Sequence, residues 1–285
     1  MLKESIIKLA VKEGLNQTGL DGVDIYRLDK PFPKTTSVLP PSICFIIQGE
    51  KVVYLGEKHV NYSEGQFLLG SLRMPVESEL KKASPENPYL GLVLKIDSSL
   101  VSELLFHVGN CESWEESKSK NELVGASPIT KDLETSLNSL LNTLSNPMDT
   151  KVLGSAHLKE VYYRVLLSPI GHMLRNSAIQ HSKAHQIAPA IQYIEKNFRE
   201  SITIDQLTKV AAMSATSLHE AFKNTTSLSP IQFIKKLRLH NAFTLLTSGR
   251  NATESAFASG YTSPAQFSRE FKRQFGISPS EVKVA

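Results

Sequence analysis

Residues 267–279 read FSREFKRQFGISP, and residues 218–230 read LHEAFKNTTSLSP. The two stretches align without a gap at an offset of 49 residues. A phenylalanine, a lysine and a Ser-Pro pair agree between them: Phe222 and Phe271, Lys223 and Lys272, and Ser229-Pro230 with Ser278-Pro279. The apolar positions recur at helical spacing, which indicates that one helical unit of structure occurs twice.

Two helix-turn-helix units are predicted, over residues 203–226 and 251–275. Each contains a short helix, a tight turn at a small residue, and a second helix with an apolar face. The turn residues are Ala212 and Gly260, and the apolar faces hold Leu218 and Phe222 in the first unit and Phe267 and Phe271 in the second. A single pattern of this kind is a weak signal, because any pair of short packed helices produces it. Two copies make DNA binding a specific expectation.

A long helix is predicted between the two units, through SPIQFIKKLRLHNAFTLLTSG. Ser229 is its expected cap, Pro230 suits the first turn, and Gly249 ends it. About 18 residues at 1.5 Å each span roughly 27 Å. This length would set the two recognition helices about one turn of DNA apart.

The first hundred residues have a sequence pattern typical of strands, not of helices. Short β-rich runs lie between turn signals from about residue 23 to 97, and they read VDIYRL, SICFIIQG, KVVYLG, KHVNY, QFLLG and YLGLVLKI. Gly56-Glu57 and Glu64-Gly65 stand where tight turns are expected. This pattern predicts an antiparallel sandwich or barrel. Phe45, Tyr54 and Arg73 are possible pocket residues, although the pattern does not establish which way each strand faces.

Two adjacent helices are expected between residues 131 and 175. Their apolar stripes hold Leu133, Leu137, Leu140, Leu141 and Leu144 in the first helix, and Leu158, Val161, Tyr162, Val165 and Leu166 in the second. Such stripes are more often core than interface, so packing within the chain is favoured, with surface left for a dimer partner. A structural or assembly protein that uses these stripes is a further alternative.

Charge and composition narrow the class of protein. Residues 186–285 hold 12 Lys and Arg against 7 Asp and Glu, whereas the whole chain has a net charge of +4. The basic excess therefore lies in the repeat-bearing end, as expected for binding to a polyanion. The two cysteines, Cys44 and Cys111, are expected to be free buried thiols. No secretion leader or long apolar run is evident, which predicts a soluble cytoplasmic protein without a membrane partner.

The sequence resembles the AraC/XylS family of bacterial transcription regulators. SLHEAFKNTTSLSPIQFIKKLRL and ASGYTSPAQFSREFKRQFGISP carry the resemblance in the C-terminal part. PSICFIIQGEKVVYLGEKHVNYSEGQFLLGSLRMPVESEL is similar to the sensor domain of one branch of the family. The resemblance implies a cupin-like sandwich that responds to a small-molecule effector, helices that form a homodimer, promoter or operator DNA as partner, and contact with RNA polymerase.

Together these observations predict an α+β multidomain protein. It has an N-terminal antiparallel β-sandwich (cupin-like) plus helices, and a C-terminal all-α domain with two helix-turn-helix units. The expected divisions are a sensor domain over residues 1–130, a helical dimerisation segment packed on it over 131–175, a linker over 176–186, and a DNA-binding domain over 187–285.

The family's DNA-reading positions fall on the exposed faces of the two recognition helices. They are Thr216, Ser217, His219, Glu220 and Lys223 in the first unit, and Ser263, Gln266, Ser268, Arg269, Lys272 and Arg273 in the second. Arg269 suits the N7 and O6 acceptors of guanine, and Gln266 suits adenine. Three residues depart from the family pattern: Glu220 replaces a usual basic residue, Thr208 a usual alanine, and Ser255 a usual isoleucine or valine.

A cupin-type metal-dependent enzyme fused to a DNA-binding domain is the alternative. Such enzymes need closely spaced histidine and carboxylate ligands. Only His59 lies near the relevant hairpins, and His107 lies outside them. His181 and His185 are four residues apart but lack a further ligand, and nucleotide-binding and nucleophile-elbow motifs are missing. The sequence therefore predicts no metal, no cofactor and no catalysis, and it leaves the ligand-binding residues unknown.

Overall fold

The computed structural model describes residues 2–56, 58–108, 123–178 and 183–282, and within them it leaves undescribed the side chains of residues 177, 178, 183–186 and 224. Two antiparallel sheets form the N-terminal part. Their strands are β1 (Gly14–Gln17), β2 (Val23–Leu28), β3 (Phe32–Leu39), β4 (Ser42–Gln48), β5 (Glu50–Leu55), β6 (Lys58–Ser63), β7 (Gln66–Gly70), β8 (Met74–Leu80), β9 (Tyr89–Lys95) and β10 (Val124–Pro128). One sheet has the order β1-β2-β9-β4-β7-β10, and the other has the order β3-β8-β5-β6.

Six of these strands match the predicted β-rich runs, and β1, β3, β8 and β10 were missed. β3 and β8 pair with each other in the smaller sheet, and each carries a proline, Pro33 or Pro75, that weakens a strand signal. Leu55 pairs with Lys58 across the expected β5–β6 turn, in which Glu57 lies outside the described residues. Glu64-Gly65 instead leads from β6 in one sheet to β7 in the other.

Eleven α-helices occur in the described ranges. They are α1 (Leu2–Leu9), α2 (Ser98–Val108), α3 (Lys131–Leu144), α4 (Pro147–Leu166), α5 (Gly171–Ala178), α6 (Lys183–Asn197), α7 (Ile204–Ala211), α8 (Ala215–Thr226), α9 (Pro230–Thr247), α10 (Ala252–Ala258) and α11 (Pro264–Phe275). A 3₁₀ turn follows at Pro279–Glu281. In the part of the chain described, no helix is both long and apolar enough to cross a bilayer. The expected α+β architecture, with a sandwich followed by two helix-turn-helix units, is confirmed.

The leucine stripes of α3 and α4 face the larger sheet. Leu133, Leu137 and Leu140 are fully buried in one cluster with Ile43 and Phe45 of β4. In α4, the hydroxyl of Tyr162 donates to the carbonyl of Lys95 and accepts from the amide of Asp97. These stripes therefore pack within the chain, as favoured above.

The expected linker region is largely helical. Residues 176–178 end α5 and residues 183–186 begin α6, whereas residues 179–182, with His181, lie outside the described residues. The helix continues through Pro189 to Asn197. The predicted boundary between sensor and DNA-binding domains, at residues 176–186, stays a prediction. Residues on its two sides share one apolar cluster, so packing does not mark a division there.

The C-terminal helices begin at capping side chains of the types that the sequence predicts. Side chains of Thr203, Ser214, Ser229, Asn251 and Ser263 each accept a hydrogen bond from the first turn of the helix that follows. The two caps of the first unit, Thr203 and Ser214, are 11 residues apart, and those of the second, Asn251 and Ser263, are 12 apart. The connection between the two helices has three residues in the first unit (212–214) and five in the second (259–263), whereas α10 is one residue shorter than α7, and the recognition helices keep the offset of 49.

The two helix-turn-helix units bury their apolar faces in different cores. Leu218 and Phe222 of α8 belong to one continuous cluster with Ile46 and Met74 of the sandwich. Phe267 and Phe271 of α11 belong to a separate cluster built on α9 and α10. The first unit is therefore tied to the sandwich by apolar packing, whereas the second depends mainly on the long helix.

Candidate nucleic-acid interface

The recognition helix of the first unit, α8, presents its predicted residues to solvent. Thr216, Ser217, His219, Glu220 and Lys223 are all exposed. The hydroxyl of Ser217 accepts a hydrogen bond from the hydroxyl of Ser214 at 2.9 Å, next to the cap. The other four make no side-chain hydrogen bond or ion pair with the described residues, so their polar groups are free to contact a ligand.

The recognition helix of the second unit, α11, is more basic. Gln266, Ser268, Arg269, Lys272 and Arg273 are exposed, and Ser263 is half-buried. The Ser263 hydroxyl accepts the helix-capping bond from the amide of Gln266 at 3.3 Å. No hydrogen bond or ion pair to a described residue engages the side chains of the three cations. Three free cations on one exposed face can meet DNA phosphates and base edges.

Glu270 is a residue that sequence reasoning missed, and it fixes α11 to its surroundings. Its carboxylate forms an ion pair with Lys235 of α9 at 2.9 Å. It also accepts hydrogen bonds from the hydroxyl of Tyr261 at 3.1 Å and from Nε2 of Gln266 at 3.2 Å. Burial would raise the pKa of Glu270, but these donors outweigh burial and lower it. The carboxylate therefore stays ionised and orients the side chain expected to read adenine.

The turn of the second unit is held against the end of α6. Gly260 has φ of 85°, and a Cβ there would lie 2.5 Å from the carbonyl oxygen of Arg199. Only glycine permits both the left-handed backbone and this close approach. Nδ2 of Asn241 in α9 donates to the hydroxyl of Ser259 beside the turn at 2.9 Å. The position of α11 is thus set by backbone packing as well as by side chains.

Opposite charges occupy the same place in the two recognition helices. At the offset of 49 residues, Glu220 of α8 corresponds to Arg269 of α11. Both side chains are exposed, and neither has a partner among the residues described. The two helices therefore present different electrostatic faces to a polyanion, with the second the more favourable.

The sandwich contacts the DNA-binding part through polar groups as well. Glu77 of β8 accepts a hydrogen bond from Gln274 at the end of α11, at 2.8 Å, and lies 3.8 Å from Lys236 of α9. Nδ1 of His240 donates to the carbonyl of Thr36 in β3 at 3.2 Å, and burial lowers the pKa of this imidazole despite that bond. Strands β3 and β8 therefore form the surface on which α9 and α11 rest.

A cavity of about 230 Å³ lies between the two sheets of the sandwich. None of Phe45, Tyr54 and Arg73 lines it. Phe45 is buried toward α3, Tyr54 donates its hydroxyl to Glu79, and Arg73 lies 3.5 Å from Glu195 of α6. These three residues, which the sequence offered only as possible pocket residues, therefore lie outside this cavity, and strand facing could not be assigned from the sequence.

Metal-binding groups do not gather in the described ranges: no three His, Cys, Asp or Glu side chains there are placed to hold an ion. Cys44 is a buried free thiol, as expected, and burial raises its pKa. Cys111 lies outside the described residues.

Two family models match the chain. Residues 19–173 match the N-terminus of AraC-type transcriptional regulators, and residues 207–284 match a helix-turn-helix domain. The first match covers strands β2 to β10 with α2 to α4, and the second covers both recognition helices. The two matches therefore include every candidate DNA-contacting residue and the cavity between the sheets.

Curated relatives with similar sequences are bacterial regulators. The chain is 34% identical over 94 residues to the HTH-type transcriptional activator RhaS of Escherichia fergusonii, a match that covers 33% of this chain and 34% of that protein. It is 27% identical over 135 residues to RhaS of Escherichia coli strain SE11, covering 46% and 47%. The matches thus span about a third to a half of the length of these relatives.

Solved structures with the same fold include ToxT from Vibrio cholerae. One ToxT structure, refined at 1.65 Å, superposes with a TM-score of 0.54 at 12% identity, over 91% of this chain and 96% of that one. A second, of ToxT from strain O395, has a TM-score of 0.53 at 13% identity, over 91% and 95%. At this identity the likeness establishes the fold alone.

Proposed function

The chain belongs to the AraC/XylS family of DNA-binding transcription regulators, and from this membership we propose that it reads a specific promoter sequence with both recognition helices. The observation that carries the proposal is the duplicated helix-turn-helix unit, whose exposed polar faces are joined by the long helix α9. Eighteen residues of α9 span about 27 Å. A connecting helix of this length can hold the two recognition helices far enough apart for insertion into successive major grooves on one side of the duplex.

The two units have different tasks in this proposal. Arg269 and Gln266 of α11 contact base edges, with Ser263, Ser268, Lys272 and Arg273 beside them as phosphate and groove contacts. In α8, Thr216, Ser217, His219 and Lys223 contribute weaker contacts, since Glu220 opposes the approach of phosphate. Most of the sequence discrimination therefore comes from the second unit.

A small-molecule effector binds the cavity between the sheets and regulates the DNA-binding part. Strand β8 connects the cavity to the DNA-binding part, because successive residues of a strand face opposite sides. Val76 and Ser78 line the cavity, whereas Glu77 between them contacts Lys236 and Gln274. A ligand that shifts β8 would therefore directly move Glu77 and its contacts with α9 and α11, without a long chain of intermediate contacts.

A second copy of the chain is a further proposed partner. The leucine stripes are occupied within the chain, but α4 exposes other apolar side chains: Met148 at 68%, Val152 at 65% and Leu153 at 44%. Exposed apolar residues grouped on one helix are a usual sign of an interface. Val152→Glu should shift the protein toward monomer in sedimentation velocity, whereas Lys151→Glu, on the same exposed helix, should not. A wild-type protein that is monomeric at micromolar concentration would refute this interface.

Promoter-bound protein is expected to contact RNA polymerase, as the family resemblance implies. We propose no catalytic step, since the relatives are named as transcriptional activators. A bacterial two-hybrid assay with polymerase subunits tests the contact, and a lack of interaction with every subunit would count against it.

The decisive experiment is the selection and sequencing of DNA fragments that bind the purified full-length protein. The proposal expects one enriched motif with two conserved blocks about 10 base pairs apart, which is one turn of the duplex. Enrichment of a single block would restrict base reading to one unit. No enriched sequence at moderate salt would overturn the proposed function.

A further inference from the structure

The carboxylate of Glu270 is held from two directions by residues outside α11. Its Oε1 accepts a hydrogen bond from Nζ of Lys235 in α9 at 2.9 Å, and its Oε2 accepts one from the hydroxyl of Tyr261 in the turn at 3.1 Å. The Glu270 side chain is only 12% exposed. Burial and the nearby charge of Glu270 raise the pKa of Tyr261, so its hydroxyl stays protonated and can donate. Glu270 therefore has a fixed position relative to the long helix and the turn.

Gln266 lies one helical turn before Glu270 on the same face of α11. Its Nε2 donates to Oε1 of Glu270 at 3.2 Å, although Gln266 as a whole is exposed. An ionised carboxylate only accepts hydrogen bonds, so the amide atom that faces it must be the nitrogen. One N–H of the amide is thus bound to Glu270, while Oε1 of Gln266 has no partner among the described residues. The orientation of this amide is therefore decided by its neighbour.

The first unit has no equivalent pair of side chains. At the offset of 49 residues, Ser217 corresponds to Gln266 and Ala221 to Glu270. Alanine offers no acceptor, and serine is too short to carry an amide toward a base edge. An oriented amide is therefore specific to α11, the helix to which most of the base reading is assigned above.

An amide of fixed orientation can distinguish the two purines. In the major groove, adenine presents the acceptor N7 beside the donor N6, whereas guanine presents two acceptors, N7 and O6. With one N–H bound to Glu270, Gln266 still offers its other N–H beside Oε1, and this pair of groups complements adenine. A freely rotating amide could turn Nε2 toward both acceptors of guanine. The hydrogen bond to Glu270 opposes that rotation.

We propose that Glu270 is a positioning residue for base recognition, which fixes the amide of Gln266 so that this amide selects adenine and rejects guanine. Glu270 contacts no DNA itself and acts through Gln266. Lys235 and Tyr261 hold the carboxylate in place, so the selectivity of α11 depends on α9 and on the turn. This role rests on the proposed function, because Gln266 must reach a base edge in the operator.

Three variants separate positioning from charge and from stability. Glu270→Leu removes the acceptor from Gln266, and the ammonium of Lys235, whose side chain is 41% exposed, can turn to water. Glu270→Gln keeps an acceptor, because its amide oxygen can face the donors Lys235 and Gln266 while its nitrogen donates to the hydroxyl of Tyr261. Tyr261→Phe removes a hydrogen bond to Glu270 but leaves those of Lys235 and Gln266.

Two further proteins complete the set. Glu254→Leu is the matched control for charge, because Glu254 is exposed on α10 and lies outside the Glu270 cluster. The double variant Tyr261→Phe with Glu270→Leu leaves no buried hydroxyl deprived of its acceptor, so it is the substitute if Glu270→Leu alone does not fold. Urea unfolding establishes that each full-length variant is folded under the conditions of the DNA-binding assay.

The experiment first selects duplexes from a random pool with the wild type and with Gln266→Ala, which identifies the base position that depends on Gln266. Competition binding then compares duplexes that carry adenine or guanine at that position. The wild type should prefer adenine by at least about fivefold. Glu270→Leu should bring the two affinities close together, whereas Glu270→Gln, Tyr261→Phe and Glu254→Leu should keep the preference. Tyr261→Phe should nevertheless unfold at lower urea concentration, since a buried hydrogen bond is lost.

Three outcomes would overturn the proposal. They are an enriched motif without any adenine preference that depends on Gln266, an unchanged ratio of adenine to guanine affinity in the folded Glu270→Leu or double variant, and an equal loss of preference in Glu270→Gln and Glu270→Leu. The last outcome would mean that the charge of Glu270 matters and the orientation of the amide does not. In each of these cases the wild type still selects a motif, whereas selection of no motif at all would refute the proposed function as well.

Discussion

Nε2 of Gln274 donates a hydrogen bond to Oε1 of Glu77 at 2.8 Å and another to the hydroxyl of Thr36 at 2.9 Å. Gln274 is in the last turn of the second recognition helix, and Glu77 and Thr36 lie on adjacent strands of the sandwich. Glu77 also forms ion pairs with Lys34 at 3.0 Å and Lys236 at 3.8 Å. One carboxylate thus joins the sensor sheet to both α9 and α11.

Glu77→Gln should weaken this junction in a pH-dependent way. Burial alone would raise the pKa of Glu77, but Lys34, Lys236 and Gln274 outweigh it and lower the pKa from 4.5. A carboxyl whose pKa is lower in the folded state stabilises above its unfolded pKa, and the stabilisation is lost as the pH falls through the folded value. The wild type should therefore be more stable than Glu77→Gln at pH 7 and 5, and the difference should shrink below about pH 4.5.

Urea unfolding at pH 7, 5, 4 and 3 measures this difference. Glu79→Gln is the matched control, because Glu79 lies on the same strand and accepts from Tyr54 at 2.7 Å without touching the DNA-binding part. A difference between wild type and Glu77→Gln that stays constant from pH 7 to 3 would contradict the electrostatic origin of the contact.

Arg269→Ala should reduce affinity for the selected operator by about 1–3 kcal/mol while leaving affinity for random DNA nearly intact, because a base-edge contact carries discrimination. Fluorescence anisotropy on operator and scrambled duplexes measures both. Arg250→Ala removes the same charge from an exposed position outside the recognition helices and serves as control. Equal losses on the two duplexes would make Arg269 a phosphate contact.

Lys272→Ala should weaken binding to every sequence alike and reduce the slope of log affinity against log salt by about one unit, since one phosphate contact releases about one counterion. The measurement is a salt titration on operator and scrambled DNA. Lys209→Ala, an exposed lysine on α7, should leave the slope unchanged. If Lys272→Ala also leaves it unchanged, Lys272 does not contact DNA.

Glu220→Arg should tighten binding to any DNA and steepen the salt dependence, because it replaces an exposed carboxylate of α8 with a cation. Glu254→Arg changes the net charge equally at an exposed site on α10 and should have a smaller effect. The competing possibility is that Glu220 accepts from the amino group of cytosine. Loss of affinity for the operator together with gain on scrambled DNA would establish that alternative.

Ser255→Ala should raise the free energy of unfolding by about 1 kcal/mol, since it removes a hydroxyl that is buried without a partner. Ser259→Ala is the contrasting variant, because the Ser259 hydroxyl is equally buried but accepts a hydrogen bond from Asn241 at 2.9 Å. Its loss should destabilise the protein by about 1 kcal/mol. Urea unfolding compares the two variants, and a destabilised Ser255→Ala would show that its hydroxyl has an unrecognised partner, such as water.

The sequence by itself determined the local parts of this protein. Helix caps, turn glycines and apolar stripes depend on residues close together in the chain, so they can be predicted without a structure. The duplicated unit could be recognised for the same reason, because Phe222 and Phe271 repeat within similar local patterns. Exposure of the recognition-helix side chains then followed from helical periodicity. Strands such as β3 escaped detection because their prolines and charged residues, tolerable on a sheet surface, obscure the alternating pattern.

Only the tertiary structure decided which side chains meet across the fold. Gln274 and Glu77 are 197 residues apart, and nothing in either local pattern indicates the other. Lys51 and Glu77 both occupy ordinary strand sequences, yet one faces the cavity and the other faces the DNA-binding helices. A shift of one residue in strand register would exchange these faces. The register and the packing of whole elements, both long-range properties, therefore placed the cavity between the sheets on one face of β8 and the helices α9 and α11 on the other.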